Sequence, residues 1–288
     1  MKSATIPFAL KAMRGFFAYA SWAVPSLAVR LLWQNLFSPP RRATNDTHRA
    51  FLASAEPLSL GSHLAIPSAK VLVLRGYRWG SGERTVLLIH GWGGNAGDFR
   101  SLVPLLVEAG FAVVALDLPA HGTSAGEESN LLDMREALVA WVAQFGWPYA
   151  IVAHSLGGIA ASLLLEHTAE SVEKFALVGV PIRAESGFDV GFEQLAVPVC
   201  IQARFYEEFE RWLGYPVAYF ALAHRRYLRA RRILAVYDTT DEVVPITEVQ
   251  TYLTAYPDIE QYWVSDVGHY RMFRSEAVRQ CLLHFLSN

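Results

Sequence analysis

From residue 85 onward, short uninterrupted apolar runs alternate with stretches whose apolar residues recur every three or four positions. The runs are "TVLLIH" (85–90), "FAVVALD" (111–117), "YAIVAH" (149–154), "KFALVGVP" (174–181), "RRILAVYD" (231–238) and "EQYWVSD" (260–266). Each has the length of a strand, and "TVLLIH" is apolar enough to be covered on both faces. Between and after them, "AGDFRSLVPLLVEAG" (96–110), "LLDMREALVAWVAQFG" (131–146), "LGGIAASLLLEHTA" (156–169) and "SEAVRQCLLHFL" (275–286) carry helical spacing. Alternating strands and helices predict an α/β protein with a mostly parallel central sheet flanked by helices. Two β-rich runs around Pro67, within "LGSHLAIPSAKVLVLRGYRWGSGE" (60–83), add a strand pair ahead of it.

Two segments stand outside this alternation. Residues 182–230 are long for an ordinary connection and carry Phe188, Phe192, Phe205, Phe209, Trp212 and Phe220 among other aromatics. They predict a helical cap or lid, either lining a pocket or packing on a small core of its own. From Ile6 to Phe37 the chain is apolar and aromatic, interrupted by Lys11, Arg14 and Arg30. Its uncharged run, Gly15 to Val29, contains Pro25 and is shorter than the roughly 20 apolar residues a bilayer span needs. "AYAS" (18–21) mimics a signal-peptidase site, but positive residues sit where the apolar region should be. One or two amphipathic helices kinked near Pro25 are expected. Packing on the protein's own body, homodimerisation and peripheral membrane contact are all open to them. The expected organisation is an N-terminal helical segment (1–57), a core of 58–181 and 231–288, and a cap or lid (182–230).

Composition narrows the function. Hydrophobic residues make up 52% of the 288 and charged ones 18%, so the chain is globular. A formal net charge of −2 without a long basic run argues against a nucleic-acid partner. Arg225, Arg226, Arg229, Arg231 and Arg232 cluster on a stretch that reads as a solvated helix face. Two cysteines, Cys200 and Cys281, without ligand-like spacing speak against a disulfide framework or structural zinc and fit a reducing, cytoplasmic setting.

The chemistry centres on "AIVAHSLGGIA" (150–160), where a strand gives way to a helix at Ser155. Serine is a favoured helix N-cap, so the stretch alone does not make it a nucleophile. A nucleophilic serine needs a base, and the base needs an orienting group. "YDTTDEVVP" supplies Asp238 and Asp241 just past one strand, and "VSDVGHYRMF" supplies His269 past the last. The order Ser, Asp, His follows the strand ends. An oxyanion needs backbone donors. The N–H of Leu156, at the start of the new helix, is one candidate. The N–H of Trp92, in the glycine-rich loop "HGWGGN", is the other.

With "HGWGGN", "DLPAHGTSAG", "AHSLGG", "DTTDEVVP" and "GHYRMF" in this order, the chain from about 70 onward resembles an α/β-hydrolase. "HGWG" with "HSLGG" is also similar to bacterial carboxylesterases of the pimeloyl-carrier-protein methyl ester esterase type. The resemblance implies the α/β-hydrolase fold and a serine esterase with a Ser155–His269–Asp241 catalytic triad. It also implies work without metal or organic cofactor on a small-molecule ester of short to medium acyl length. The family's spacing before "VVP" favours Asp241 as the acid, leaving Asp238 to hold the loop. Ala153 replaces the usual first glycine, a small-for-small change. His90, His121 and His154 lie inside family motifs and lack the i, i+4 pattern of metal ligands, Asp117 reads as a loop organiser, and His284 as a packed or surface histidine.

Other functions remain in view. A thioesterase, lactonase or acyltransferase would use the same triad. A non-catalytic hydrolase-fold binding protein would usually have lost a triad member. Gly91-x-Gly93-x-x-Ala96 after a strand, with Asp117 ending the next, outlines a dinucleotide fingerprint for an NAD-dependent oxidoreductase.

Overall fold

The computed structural model describes residues 8–41, 45–65, 71–225 and 228–288. Two helices open the chain, α1 (Phe8–Ala23) and α2 (Pro25–Phe37), then α3 (Asp46–Ala53), β1 (Glu56–His63), β2 (Val71–Trp79) and β3 (Thr85–Ile89). Next come α4 (Val103–Glu108), β4 (Ala112–Asp117), α5 (Leu131–Phe145), β5 (Ala150–His154), α6 (Leu156–Glu166) and β6 (Val172–Val178). The insertion forms α7 (Ser186–Leu195) and α8 (Val199–Leu213) with two short 3-10 turns, and β7 (Ala230–Asp238), α9 (Ile246–Ala255), β8 (Glu260–Val264) and α10 (Glu276–Ser287) complete the chain.

Among the described residues, eight strands form one sheet in the order β1-β2-β4-β3-β5-β6-β7-β8. β1, β2 and β4 pair antiparallel, and every pairing from β4 through β8 is parallel. Side chains alternate between two cores. In β5, Ile151 and Ala153 face the layer holding α2, α5, α6 and the insertion, while Ala150 and Val152 face the layer holding α10. The order reverses between β3 and β5, so their following loops diverge and leave a crevice at the strand ends.

Several elements differ from the sequence expectation. The helix expected over 96–110 is a 3-10 turn, Ala96–Phe99, followed by α4. Asn95 and Asp98 close a capping box on the turn, and Pro104, lacking an N–H, is tolerated only in a helix's first turn. The kink at Pro25 is a full break, with Pro25 opening α2. The arginine-rich stretch is not a helix face. Arg225 is buried in a loop, with its guanidinium on Glu166 and the Tyr219 carbonyl, while Arg231 and Arg232 lie on β7. Arg226 falls outside the described residues. Lys174 of β6 is buried, its Nζ donating to the carbonyls of Phe285 and Leu286 at 2.8 and 3.0 Å. It thereby satisfies the end of α10, a region that favours a cation.

The first two helices pack on the insertion. Trp33 and Phe37 of α2 stack among Phe205 and Trp212 of α8, with Phe37 also on Phe188 of α7. The Arg14 Nε donates to the Gln194 carbonyl at 2.8 Å. Beyond α2, Arg41 donates to the carbonyls of Ser124 and Gly126, tying the segment to the loop after β4.

Candidate active site

Ser155 sits at the turn between β5 and α6 with φ 51° and ψ −130°, in the positive-φ half that a side chain disfavours. Holding it there costs on the order of 1–3 kcal/mol. It occupies the N-cap position yet makes no capping hydrogen bond. Its Oγ is instead 3.0 Å from Nε2 of His269. The turn is possible because its surroundings are small. A Cβ at Gly157 would lie 2.3 Å from the His90 carbonyl oxygen, and one at Gly91 would lie 2.8 Å from the Ser155 Cβ. Ala153 is fully buried, opposite Ile89 and Leu177.

His269 opens the turn after β8, and its Nδ1 lies 2.8 Å from Oδ2 of Asp241. An ionised carboxylate can only accept, so Nδ1 carries the proton and Nε2 is left to accept from the serine hydroxyl. Asp241 is fixed through its other oxygen, which accepts from the N–H groups of Val243 and Val244 at 2.7 and 3.0 Å. Burial pushes its carboxyl pKa up. The His269 hydrogen bond and charge, with those two N–H groups, outweigh burial and hold it below the ordinary value. Asp238 does different work. One oxygen accepts from the Thr240 N–H and hydroxyl, and the other from the N–H groups of Val267 and Gly268. It thereby links the loop that carries Asp241 to the loop that carries His269. Asp266, with φ 60°, shapes the latter turn and accepts from the Ser265 hydroxyl.

The supporting histidines are neutral braces. His90 accepts from the Leu118 N–H at Nε2 and bonds the Gly91 carbonyl through Nδ1. His154 bonds the His269 carbonyl through Nε2 at 3.0 Å. Burial, and then the nearby His269 charge, push the His154 pKa down to about 3. Burial and the neighbouring His90 do the same to His121. Asp117 engages both carboxylate oxygens, with the Ala96 N–H on one and the Thr123 N–H and hydroxyl on the other. It therefore ties the loop after β3 to the loop after β4 and presents no oxygen to a ribose. The Gly91–Ala96 stretch leads into a single 3-10 turn instead of a long helix. The dinucleotide outline has neither its acid nor its helix here. Among the described residues, no group of three or more His, Cys, Asp or Glu is placed to hold a metal ion.

Above Ser155 lies a cavity of ≈ 370 Å³. Trp92, from the loop after β3, and Leu156, first residue of α6, line it together with Ser155 and His269. As the first residue of a helix, Leu156 has no intrahelical acceptor for its N–H. Phe188, Phe209 and Phe220 of the insertion wall the cavity on one side, and Asn35, Leu36 and Phe37 of α2 close it on another. The contribution of α2 is absent from the sequence reading. The stripe Leu32, Trp33, Leu36, Phe37 marks a face to be buried, but nothing in the pattern says against what.

A parallel sheet with a switch point beneath a strained serine, flanked by helices and crossed by an aromatic insertion, defines the α/β-hydrolase fold. Residues 84–196 match the model of the family described as the alpha/beta hydrolase fold. Over 115 residues the chain is 36% identical to a serine hydrolase-like protein of Danio rerio, across 36% of this chain and 34% of that protein. Over an alignment of 115 residues it is also 36% identical to a pimeloyl-[acyl-carrier protein] methyl ester esterase of Neisseria meningitidis, across 40% of this chain and 43% of that one. The chain spans about a third of the length of the first curated relatives it matches. An esterase of Pyrococcus furiosus superposes with a TM-score of 0.62 at 20% identity, covering 86% of this chain and 95% of that structure. The chain has the α/β-hydrolase fold, and its matched segment is similar to serine hydrolases and methyl ester esterases.

Proposed function

We propose that this chain is a serine hydrolase of carboxylic esters. The observation that carries the reading is the hydrogen-bonded line from the Ser155 Oγ through His269 to Asp241 at the floor of a largely apolar cavity. In the proposed reaction His269 Nε2 takes the Ser155 proton as Oγ attacks the ester carbonyl carbon. Asp241 holds the imidazole orientation and stabilises the imidazolium. The N–H groups of Trp92 and Leu156 receive the oxyanion. His269 then returns the proton to the leaving alkoxide, leaving an acyl-enzyme. Water, deprotonated by the same nitrogen, releases the acid.

The apolar walls from α2 and the insertion suit a short or medium acyl chain, and the two free cysteines suit a reducing, cytoplasmic setting. The test is turnover of p-nitrophenyl esters graded by acyl length. Ser155→Ala should lower kcat by about 10⁴-fold or more with the fold intact by circular dichroism. Undiminished turnover in that variant removes Ser155 from the mechanism.

A further inference from the structure

The outward face of the first two helices is chemically unlike the surface of an ordinary globular protein. Among the described residues, five of the twelve exposed large hydrophobic ones lie within residues 19–31: Tyr19, Trp22, Val24, Leu27 and Leu31. Trp22 is 84% exposed and Tyr19 66%. They fall on coherent stripes. Lys11, Gly15, Ala18 and Trp22 share one side of α1, and Leu27, Arg30, Leu31 and Gln34 share one side of α2, all of them exposed. The opposite sides of both helices are buried, through Phe17 and Ala20 in α1 and through Ala28, Val29 and Leu32 in α2. A surface helix ordinarily turns a charged face to water. Here both faces are apolar, and the only charges among the described outward residues are the cations Lys11 and Arg30.

The charge distribution names the occupant. Residues 1–45 contain six Lys or Arg and no Asp or Glu, leaving 19 basic against 27 acidic residues in the rest of the chain. We propose that the outward face of α1 and α2 docks on a lipid surface bearing anionic headgroups, with Trp22, Tyr19, Val24, Leu27 and Leu31 in the headgroup–acyl boundary. Exposed Trp and Tyr suit that layer, where one end of the ring is apolar and the other wet. Lys11 and Arg30 would contact the headgroups. A second copy of the chain is the poorer partner. A two-fold interface sets the same face against itself, gathering the Lys11 and Arg30 cations of both copies at one seam with no carboxylate among the described outward residues to pair them. The helices lie on the surface and do not span it. Among the described residues no helix is long and apolar enough to cross a membrane. On its inner side α2 also lines the cavity above Ser155, so docking would bring that cavity to the lipid.

The experiment is co-sedimentation of the full chain with vesicles of phosphatidylcholine and phosphatidylglycerol in equal parts, against phosphatidylcholine alone. Binding should favour the mixed vesicles and weaken as salt rises. Trp22→Ser with Leu27→Ser should lower the partition coefficient roughly a hundredfold, while turnover of a soluble ester stays unchanged. Ser155→Ala should bind like the unaltered chain, so failure of the esterase reading leaves the docking result standing. Absent binding, equal binding to both vesicle types, or equal binding by the double variant would each overturn the proposal. So would a dimer, seen by light scattering, that the double substitution dissolves without any vesicle binding.

Discussion

At the scale of single residues, two aspartates three positions apart divide the work of one loop. Asp238 accepts four donors from two loops, whereas Asp241 alone reaches His269. Hydrogen bonds hold both carboxyls below the ordinary value despite burial, so both are ionised at neutral pH. Asp241→Asn leaves the loop nearly isosteric but can present an N–H where Nδ1 needs an acceptor, which favours the wrong imidazole tautomer. Its expected effect is a fall in kcat of about 10⁴-fold, with little change in thermal midpoint. A stopped reaction with Asp238→Asn and normal turnover with Asp241→Asn would reverse the assignment. The Ser155 backbone adds a second residue-level point. Its positive φ is sustained by Gly157 and Gly91, where an added Cβ has no room, so the strain is held by neighbours and not by the serine itself.

At the scale of elements, the wall built by α2 yields its own test. Phe37 is buried against Phe188, Phe205 and Phe209 and also faces the cavity. Truncating a buried Phe to Ala costs about 3–5 kcal/mol, and the vacated space adjoins the cavity. Phe37→Ala should lower the thermal midpoint and move acyl preference toward longer chains. An unchanged chain-length profile would show that α2 does not set it. This wall also marks the limit of what the sequence makes legible. The parallel sheet was readable because buried strands are short apolar runs, and Ser155, His269 and Asp241 because each sits just past a strand end. The break in the helix expected over 96–110 was written in Pro104 and the Asn95–Asp98 cap, but periodicity masked it. That α2 meets α8 was not readable, because a one-dimensional apolar stripe names a buried face without naming its partner. For the same reason Lys174, which caps α10 from inside a strand, gives no signal of its role.

At the scale of the whole molecule, buried titratable groups set a pH dependence of stability. His121 and His154 titrate at about 3 in the fold and near 6.5 in an unfolded chain. Their stabilisation is present in full above 6.5 and is lost as pH falls toward 3. Asp133 works in the opposite sense. Burial, against hydrogen bonds from Ala65 and Asn130, raises its pKa to about 6, so acidification from 6 toward 4 relieves a destabilisation. Two histidines outweigh one aspartate, and stability should fall as pH drops from 6.5 to 4. Urea midpoints at several pH values will test this, and Asp133→Asn should steepen the fall. A midpoint that rises on acidification would contradict it.

The packing of α1 and α2 on α7 and α8 also bears on how the chain is made. The first helices leave the ribosome well before their partners, which begin only at Ser186. At about 5–20 residues per second, synthesis of the intervening chain takes roughly 7–30 s. For that interval both apolar faces of the helix pair are uncovered. The nascent protein is therefore most exposed to aggregation, or to capture by a chaperone or a lipid surface, while Ser155 is being added and before Asp241 and His269 exist to complete its candidate active site.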